Sequence, residues 1–136
     1  DGRDGCVYLI NLGELILIDT GAGWSVDKIL NNIQKLGFNS KNLNKILLTH
    51  CHIDHIGGVP EIKKRFGAKI YIHNLDAPPL ENGDQILTAA KWYQTTFPPT
   101  PIDVKFNLPE EILRILGGNE KDTRISRGGS LAESVK

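Results

Sequence analysis

The sequence predicts an α/β fold in which helices cover a β-sheet in layers. β-prone and helix-like runs alternate from residue 15 to residue 73 in the order strand, helix, strand, helix, strand, and that order is typical of layered α/β architecture. The 136 residues are enough for one domain with a modest hydrophobic core. We predict a folded domain over residues 1–116 and a polar tail over residues 117–136.

The first two strands are predicted to form a hairpin. Residues 6–10 and 15–18 are β-prone runs, and residues 11–14 join them. Gly13 lies in this connection and can take the positive φ that a tight turn often requires.

The first helix is predicted to begin after Ser25 as its N-cap and to end at Gly37. Apolar residues recur on one face of it at helical spacing. They are Val26, Ile29, Leu30, Ile33 and Leu36. The mostly apolar residues 44–49 then suit a buried strand.

The second helix is predicted after a flexible turn at Gly57 and Gly58. Pro60 fits the first turn of a helix that continues to Phe66. Gly67 ends that helix, and residues 69–73 form a third β-prone run.

The pattern is weaker after residue 73. We predict a helix over residues 86–95, a rigid extended linker over residues 97–101, and a strand or short helix over residues 108–116. Trp92, Tyr93 and Phe97 form the main aromatic group, for which helix packing is favoured over a substrate pocket. Residues 117–136 are rich in glycine, serine and charge, so we predict a poorly ordered tail.

Four side chains of the metal-ligand type occur within six residues, at His50, His52, Asp54 and His55. In an extended loop, His50, His52 and Asp54 share one side, about 6.5 Å apart in succession. Asp54 and His55 would then point to different sides, so the segment can serve two metals. Imidazole with carboxylate suits zinc, iron or manganese and does not select among them.

The histidine cluster, Cys51 and His73 each have a simpler interpretation as well. A hydrogen-bonded surface loop has no need of three of the chain's four histidines within six residues. Cys51 would point away from His50 and His52, so a small buried residue is favoured over a ligand. His73 ends a strand, where a polar cap is favoured over a ligand.

Two segments of the sequence resemble those of a known family. Residues 49–58 read THCHIDHIGG and resemble the His-x-His-x-Asp-His loop and Gly-Gly of the metallo-β-lactamase superfamily. Residues 15–21 read LILIDTG and resemble the family's strand-end Asp-Thr-Gly. The resemblance covers about residues 5–75.

The resemblance implies an αββα sandwich with one or two metal ions, expected to be Zn²⁺ with iron or manganese as alternatives, at the sheet edge. A metal-bound water or hydroxide would be the nucleophile. His50 and His52 would bind the first ion, and Asp54 and His55 the second. Asp54 would also be catalytic by orienting the nucleophile, and Asp19 would be a hydrogen-bond acceptor that holds the site in position.

The sequence also departs from the family pattern. Family members add a third histidine, a bridging aspartate and a last histidine later in the chain, whereas no histidine follows His73. The sequence therefore predicts the N-terminal half of the sandwich. A fragment of a larger protein is the favoured account; a natural truncation and a second half supplied by another chain are the alternatives.

The predicted function is a metal-dependent hydrolase acting on a small thioester, ester or lactone. A catalytically inert truncated metal-binding domain, a nuclease or phosphodiesterase, and an iron oxygenase of the same fold are the alternatives. The 16 basic and 16 acidic residues balance, and Lys63, Lys64 and Arg65 suit a solvated helix face, so a small-molecule partner is expected rather than nucleic acid or a membrane. A homo-oligomer is compatible with the sequence. No leader or long apolar run is visible, so a cytoplasmic protein is predicted.

Overall fold

The computed structural model describes residues 4–116 and 132–134, which are organised around one six-stranded sheet. In chain order, the strands are β1 (Tyr8–Asn11), β2 (Leu15–Ile18), β3 (Leu43–Leu47), β4 (Lys69–His73), β5 (Val104–Phe106) and β6 (Ala132–Ser134). Their order across the sheet is β5-β4-β3-β2-β1-β6. Strands β2 to β5 are parallel, whereas β1 is antiparallel to both of its neighbours.

Helices connect the parallel strands, as the alternating sequence pattern predicts. They are α1 (Val26–Lys35), α2 (Ile53–Ile56), α3 (Val59–Phe66), α4 (Ala77–Asn82) and α5 (Pro109–Ile115). Single 3-10 turns lie at Ser40–Asn42, Asn74–Asp76 and Ala90–Tyr93. The α/β fold class is confirmed, and the segment predicted as a strand or short helix over residues 108–116 is the helix α5.

Local chemistry accounts for the first elements. The predicted hairpin is formed by β1 and β2, and Gly13 has the positive φ of 94° that the turn requires. Ser25 occupies the N-cap of α1, but its hydroxyl donates to the Asp4 carboxylate and accepts no hydrogen bond from the helix. Gly37 lies just after α1 with a φ of 91°, so the predicted stop is confirmed.

The main hydrophobic core lies on one face of the sheet, against α1 and α3. Alternate residues of the strands point into it, including Leu17 of β2, Ile46 of β3 and Ile70 of β4. The helices contribute their buried apolar faces, among them Ile29 and Ile62. A smaller cluster covers the opposite face and consists of Ile10, Ile16, Leu47, Tyr71, Phe106, Ile115 and Leu116.

Gly57 and Gly58 form the predicted turn, which joins α2 to α3, but the need for a glycine at position 57 has another cause than flexibility. Gly57 is the C-cap residue of α2, with φ −61° and ψ −29°, a conformation open to any residue. A Cβ atom at Gly57 would lie 2.1 Å from the backbone carbon and oxygen of Ala22. The glycine is therefore required by close backbone packing rather than by turn flexibility.

The helix predicted over residues 86–95 is not formed. Ala89 and Gln94 take left-handed conformations, with φ of 64° and 56°, which a continuous helix excludes. The Asp84 carboxylate accepts from the N–H groups of Ile86 and Leu87. This local hydrogen bonding offers the backbone an alternative to a helix, and only the 3-10 turn Ala90–Tyr93 remains.

The predicted aromatic group is dispersed. Phe97 is buried in the main core at 1% exposure, Tyr93 packs partly against that core and lies 6.4 Å from Trp24 between ring centroids, and Trp92 is 75% exposed. Packing therefore accounts for two of the three residues, as favoured from the sequence.

Part of the predicted tail lies in the sheet. The strand β6, at residues 132–134, pairs with β1 instead of being disordered, whereas residues 117–131, 135 and 136 lie outside the described residues. Across the part of the chain that is described, no helix has the length and apolar character needed to cross a bilayer.

Candidate metal centre

The histidine-rich loop lies at the carboxyl end of β3, where the parallel strands β2, β3 and β4 all terminate near one another. Residues 49–52 leave the strand, and α2 begins at Ile53. Ile53 and Ile56 are buried in the main core, and the Ile53 N–H donates to the Thr88 carbonyl at 2.6 Å. The loop is therefore anchored at both ends by a strand and a buried helical turn.

Asp54 and His55 do not continue an extended loop, which corrects the expectation that period-two alternation runs through residue 54. Both residues lie on α2, because Ile53 and Ile56 face the core only when this segment turns as a helix. The two side chains consequently do not diverge: His55 Nε2 lies 3.4 Å from Asp54 Oδ2.

Three of the predicted ligands converge. One ligand atom each from His50, Asp54 and His55 lies within 4.8 Å of the other two, and all three side chains are half-buried. Ligand atoms about 2.1 Å from a tetrahedral ion are about 3.4 Å from each other. The Asp54–His55 pair already has this spacing, at 3.4 Å, so the donor set fits a divalent ion such as zinc if the other distances, all within 4.8 Å, contract.

His52 lies beside this group without belonging to it. Its ring meets the His50 ring edge-on, with 5.0 Å between centroids, whereas the His50 and His55 rings are 4.1 Å apart. The structure thus brings His50 closer to His55 than to His52, and the division of the histidines between two ions stays a prediction.

A buried carboxylate organises the two converging histidines. Asp19 is 3% exposed, and its Oδ2 atom accepts from His55 Nδ1 at 2.8 Å and from the Thr49 hydroxyl at 2.7 Å. The Thr49 hydroxyl also lies 2.9 Å from His50 Nδ1. Because the single hydroxyl proton is directed to Asp19, His50 Nδ1 is the donor to the Thr49 oxygen.

This network assigns the ligand atoms. With Nδ1 of both His50 and His55 acting as a hydrogen-bond donor, each ring presents an unprotonated Nε2 atom when it is neutral. Thr49, quoted from the sequence only as part of a motif, joins His50 to Asp19. A hydroxyl residue directly before the first histidine is the signal that could have identified it.

The electrostatic environment of His50 favours the neutral ring that metals bind. Partial burial lowers the pKa of His50, and the neighbouring rings of His55 and His52 lower it further. The carboxylates of Asp19 and Asp54 oppose this effect without reversing it.

Cys51 is not among the converging ligands. Burial raises the pKa of its thiol to about 11, with a further contribution from a hydrogen bond to Asp76. Metal binding requires the thiolate, so the packing interpretation of Cys51 is favoured, and its side chain does pack partly against the main core.

His73 has the capping role favoured from the sequence. Its Nδ1 atom accepts from the Leu75 N–H at 3.1 Å, and its ring meets Phe106 edge-on. It also lines a cavity of about 380 Å³ that borders the metal loop at Thr49. The other lining residues are Leu47, Leu48, Asp76, Phe106 and Ile112.

Comparisons with known proteins agree with this geometry. A family model described as the metallo-beta-lactamase superfamily matches residues 1–125. A probable metallo-hydrolase of Bacillus subtilis is 36% identical over 76 residues, which cover 53% of this chain and 29% of that protein. A hydroxyacylglutathione hydrolase of a Bradyrhizobium species is 43% identical over 53 residues, covering 38% of this chain and 21% of that protein.

A solved structure is similar in fold as well as in sequence. The crystal structure of a subclass B3 metallo-beta-lactamase of Bradyrhizobium japonicum matches with a TM-score of 0.63 and 37% identity. The match covers 74% of this chain and 38% of that one. The chain thus spans well under half the length of each of these three relatives.

Proposed function

The chain belongs to the metallo-beta-lactamase superfamily, and on that premise we propose that it carries the metal-binding part of a hydrolase for a small thioester, ester or lactone. One observation carries the proposal. His50, Asp54 and His55 converge within 4.8 Å beside an apolar cavity, with both rings oriented through one buried carboxylate.

The three converging side chains are the proposed ligands, and His52 is adjacent for a second ion. A bound divalent cation supplies Lewis acidity and lowers the pKa of a coordinated water toward neutrality. The protein's part is to hold the Nε2 atoms of His50 and His55 in place through Thr49 and Asp19. Asp54 is the carboxylate that we propose orients the nucleophile and accepts its proton.

Chemistry near the site favours a substrate whose acyl group is uncharged. Most residues lining the adjacent cavity are apolar, which suits the body of a small organic molecule. Two of the three basic residues in the run on α3 are paired: Lys63 with Asp103, and Arg65 with Asp27 and Glu61. This leaves little unpaired basic charge on α3 for nucleic acid, and the relative named hydroxyacylglutathione hydrolase favours an acyl substrate.

An inert metal-binding domain is the second candidate, and a specific observation favours it. No histidine follows His73 in these 136 residues, so the later histidines of the family pattern are not supplied by this sequence. Catalytic zinc sites generally use three protein ligands for each ion. His50, Asp54 and His55 supply that number for one ion, and only His52 of the loop is left for a second.

Metal binding and turnover of the 136-residue chain separate the two candidates. After loading with zinc and desalting, one or two equivalents should remain, and two would favour a binuclear site. His50→Ala and His55→Ala should each weaken zinc binding by a factor of ten or more, since each removes one of about three ligands. The measurements are metal content and a competition assay with a chromophoric chelator. Turnover is measured as hydrolysis of a hydroxyacylglutathione thioester, a phenyl ester and a lactone.

His73→Asn is the matched control for zinc affinity. It also removes a histidine, but an asparagine oxygen can accept from the Leu75 N–H in place of His73 Nδ1. Retention of only traces of metal by the wild-type chain would contradict the proposed metal centre. Stoichiometric zinc without turnover of any of the three substrates would favour the inert domain.

A further inference from the structure

The cavity beside the metal loop is lined by both apolar and polar side chains. Its volume of about 380 Å³ is within the range of small-molecule sites. Leu47, Leu48, Phe106 and Ile112 supply apolar walls, and two of the lining residues, His73 and Asp76, bring a ring and a carboxylate.

The hydrogen-bonding capacity of His73 is fixed by its backbone contact. Nδ1 accepts from the Leu75 N–H, so the proton of the neutral ring is on Nε2. The edge-on contact with Phe106 also restricts rotation of the ring. His73 therefore offers the cavity one N–H donor and no further acceptor.

Asp76 has the complementary capacity. An ionised carboxylate accepts hydrogen bonds and donates none. It also repels anionic ligands, since like charges close together in a partly enclosed site are unfavourable. Asp76 also contributes to the raised pKa of the Cys51 thiol, and Thr49 of the metal loop lines the same cavity.

We propose that this cavity binds an uncharged apolar group bearing a hydroxyl, recognised by His73 and Asp76. A hydroxyl accepts from the imidazole N–H and donates to the carboxylate at the same time, which a ketone or an ether cannot do. This inference rests on the proposed function: the hydroxyl-bearing group is part of the substrate hydrolysed at the adjoining metal centre.

Three six-membered-ring probes of similar size test the chemistry without turnover. Cyclohexanol both donates and accepts, cyclohexanone only accepts, and cyclohexanecarboxylate is an anion. Titrations of the metal-free chain followed by ¹H–¹⁵N NMR should show shifts at Thr49, His73 and Ile112. Cyclohexanol should bind about fivefold to tenfold more tightly than cyclohexanone, and cyclohexanecarboxylate should bind most weakly.

Two variants test whether Asp76 and His73 cause the preference for the alcohol. Asp76→Asn replaces an acceptor by an amide that also donates, so the preference for the alcohol over the ketone should fall to about twofold or less. His73→Asn keeps an acceptor for the Leu75 N–H but removes the ring N–H, so both ligands should bind about fivefold more weakly. Asn74→Ala, an exposed neighbour, should leave all three affinities unchanged.

The outcomes separate this inference from the proposed function. Equal binding of alcohol and ketone by the wild-type chain, or a preference that survives Asp76→Asn, would overturn the recognition of a hydroxyl. Hydrolysis without such a preference would overturn this inference alone. The expected preference in a chain that hydrolyses no ester, thioester or lactone would support the binding site and remove its link to a substrate.

Discussion

At the scale of single residues, Asp19 has a backbone conformation that is strained for a residue with a side chain. Its φ of 62° is left-handed, and its carboxylate is buried. Backbone strain of this kind costs on the order of 1 kcal/mol or more and persists where the surrounding structure requires it. Here the carboxylate accepts from the Thr49 N–H, the Thr49 hydroxyl and His55 Nδ1, so the strained residue positions both histidines.

The first prediction concerns Asp19→Asn. Asparagine tolerates the left-handed conformation, so the chain should fold, but the amide is a weaker acceptor for His55 Nδ1–H. Loss of such a supporting contact lowers metal affinity about 10-fold to 100-fold. The measurement is zinc affinity by chelator competition, with thermal unfolding as the check on folding. Asp27→Asn, at an exposed residue of α1, is the control, and an unchanged zinc affinity in Asp19→Asn would show that Asp19 does not position the ligands.

The types of ligand could be predicted from the sequence, but their arrangement could not. His50, Asp54 and His55 were identified from clustering alone. Their geometry depends on the helical turn α2, which the buried Ile53 and Ile56 impose, and an extended loop was expected instead. The role of Thr49 depends on β2 ending beside β3, where the Asp19 N–H donates to the Leu47 carbonyl, and such a long-range contact is not visible in a local pattern.

At the scale of elements, the position of α2 depends on a close approach between two backbone segments. The Gly57 N–H donates to the Gly21 carbonyl, and the Thr20 N–H donates to the His55 carbonyl. The virtual Cβ of Gly57 overlaps the backbone of Ala22. The absence of a side chain at Gly57 therefore allows the helix that carries Asp54 and His55 to pack against the segment that follows β2.

The second prediction is that Gly57→Ala lowers the free energy of unfolding by about 3 kcal/mol or more, because backbone must move to admit the methyl group. Gly37→Ala is the matched control. Gly37 has a positive φ but open space around a Cβ, so the substitution should cost only the strain of about 1–2 kcal/mol. Urea denaturation measures both, and equal losses would show that Ala22 and Gly57 are not tightly packed.

The third prediction concerns the pH dependence of a contact between α3, β4 and the segment before β5. Asp103 accepts from Lys63 Nζ and from the Ile70 N–H, each at 2.7 Å. Partial burial would raise the pKa of Asp103, but the contacts with Lys63 and Ile70 outweigh burial, and the pKa is lowered. A lowered folded-state pKa stabilises the protein above the unfolded-state pKa, and this contribution is lost as the pH falls through the folded-state value.

Asp103→Asn should therefore lower the free energy of unfolding by about 0.5–1 kcal/mol at pH 7, a magnitude limited by the exposure of the ion pair. Near pH 3 the difference from the wild type should shrink. Urea denaturation at both pH values is the measurement, and Asp27→Asn, whose Arg65 partner also pairs with Glu61, is the control with a smaller effect. A difference that grows toward low pH would contradict the assigned shift.

Elements with a strong hydrophobic period could be predicted from the sequence, and those set by side-chain hydrogen bonds could not. Apart from α2, the strands and helices from β2 to β4 agree with the pattern of apolar residues to within one or two residues. Residues 86–95 have enough apolar positions for a helix. The hydrogen bond from the Ile86 N–H to the Asp84 carboxylate and the left-handed conformation of Ala89 nevertheless give this segment a non-helical backbone. The buried Thr88, which accepts from Ile53 through its carbonyl, ties this segment to α2.

At the scale of the whole molecule, the sheet separates a large core from a small one. The large core is covered by α1 and α3, as the alternation of strands and helices predicts. The small cluster on the opposite face is covered by α5, through Ile112, Ile115 and Leu116. This second layer was not predictable in detail, because α5 lies far in sequence from β1 and β2, whose apolar residues belong to the same cluster.

The contact of α5 with the sheet is fixed by a polar and an apolar interaction. Lys45 of β3 donates from Nζ to the Ile115 carbonyl at 2.9 Å and also pairs with Glu14. A cation at the carboxyl end of a helix is favourable for the helix dipole. The Ile115 side chain is buried in the cluster with Leu47, Tyr71 and Phe106.

The fourth prediction is that Ile115→Ala lowers the free energy of unfolding by about 2 kcal/mol, because it removes buried methyl groups from the only described helix on this face. Leu108→Ala is the matched control: Leu108 directly precedes α5 but is 59% exposed, so its loss should change stability by less than about 0.5 kcal/mol. Urea denaturation of both variants measures the difference. If the two substitutions cost the same, α5 does not cover the sheet, and the second face is available to another layer. A cost confined to Ile115→Ala means that α5 covers the cluster formed by Ile10, Ile16, Leu47, Tyr71 and Phe106 on this face.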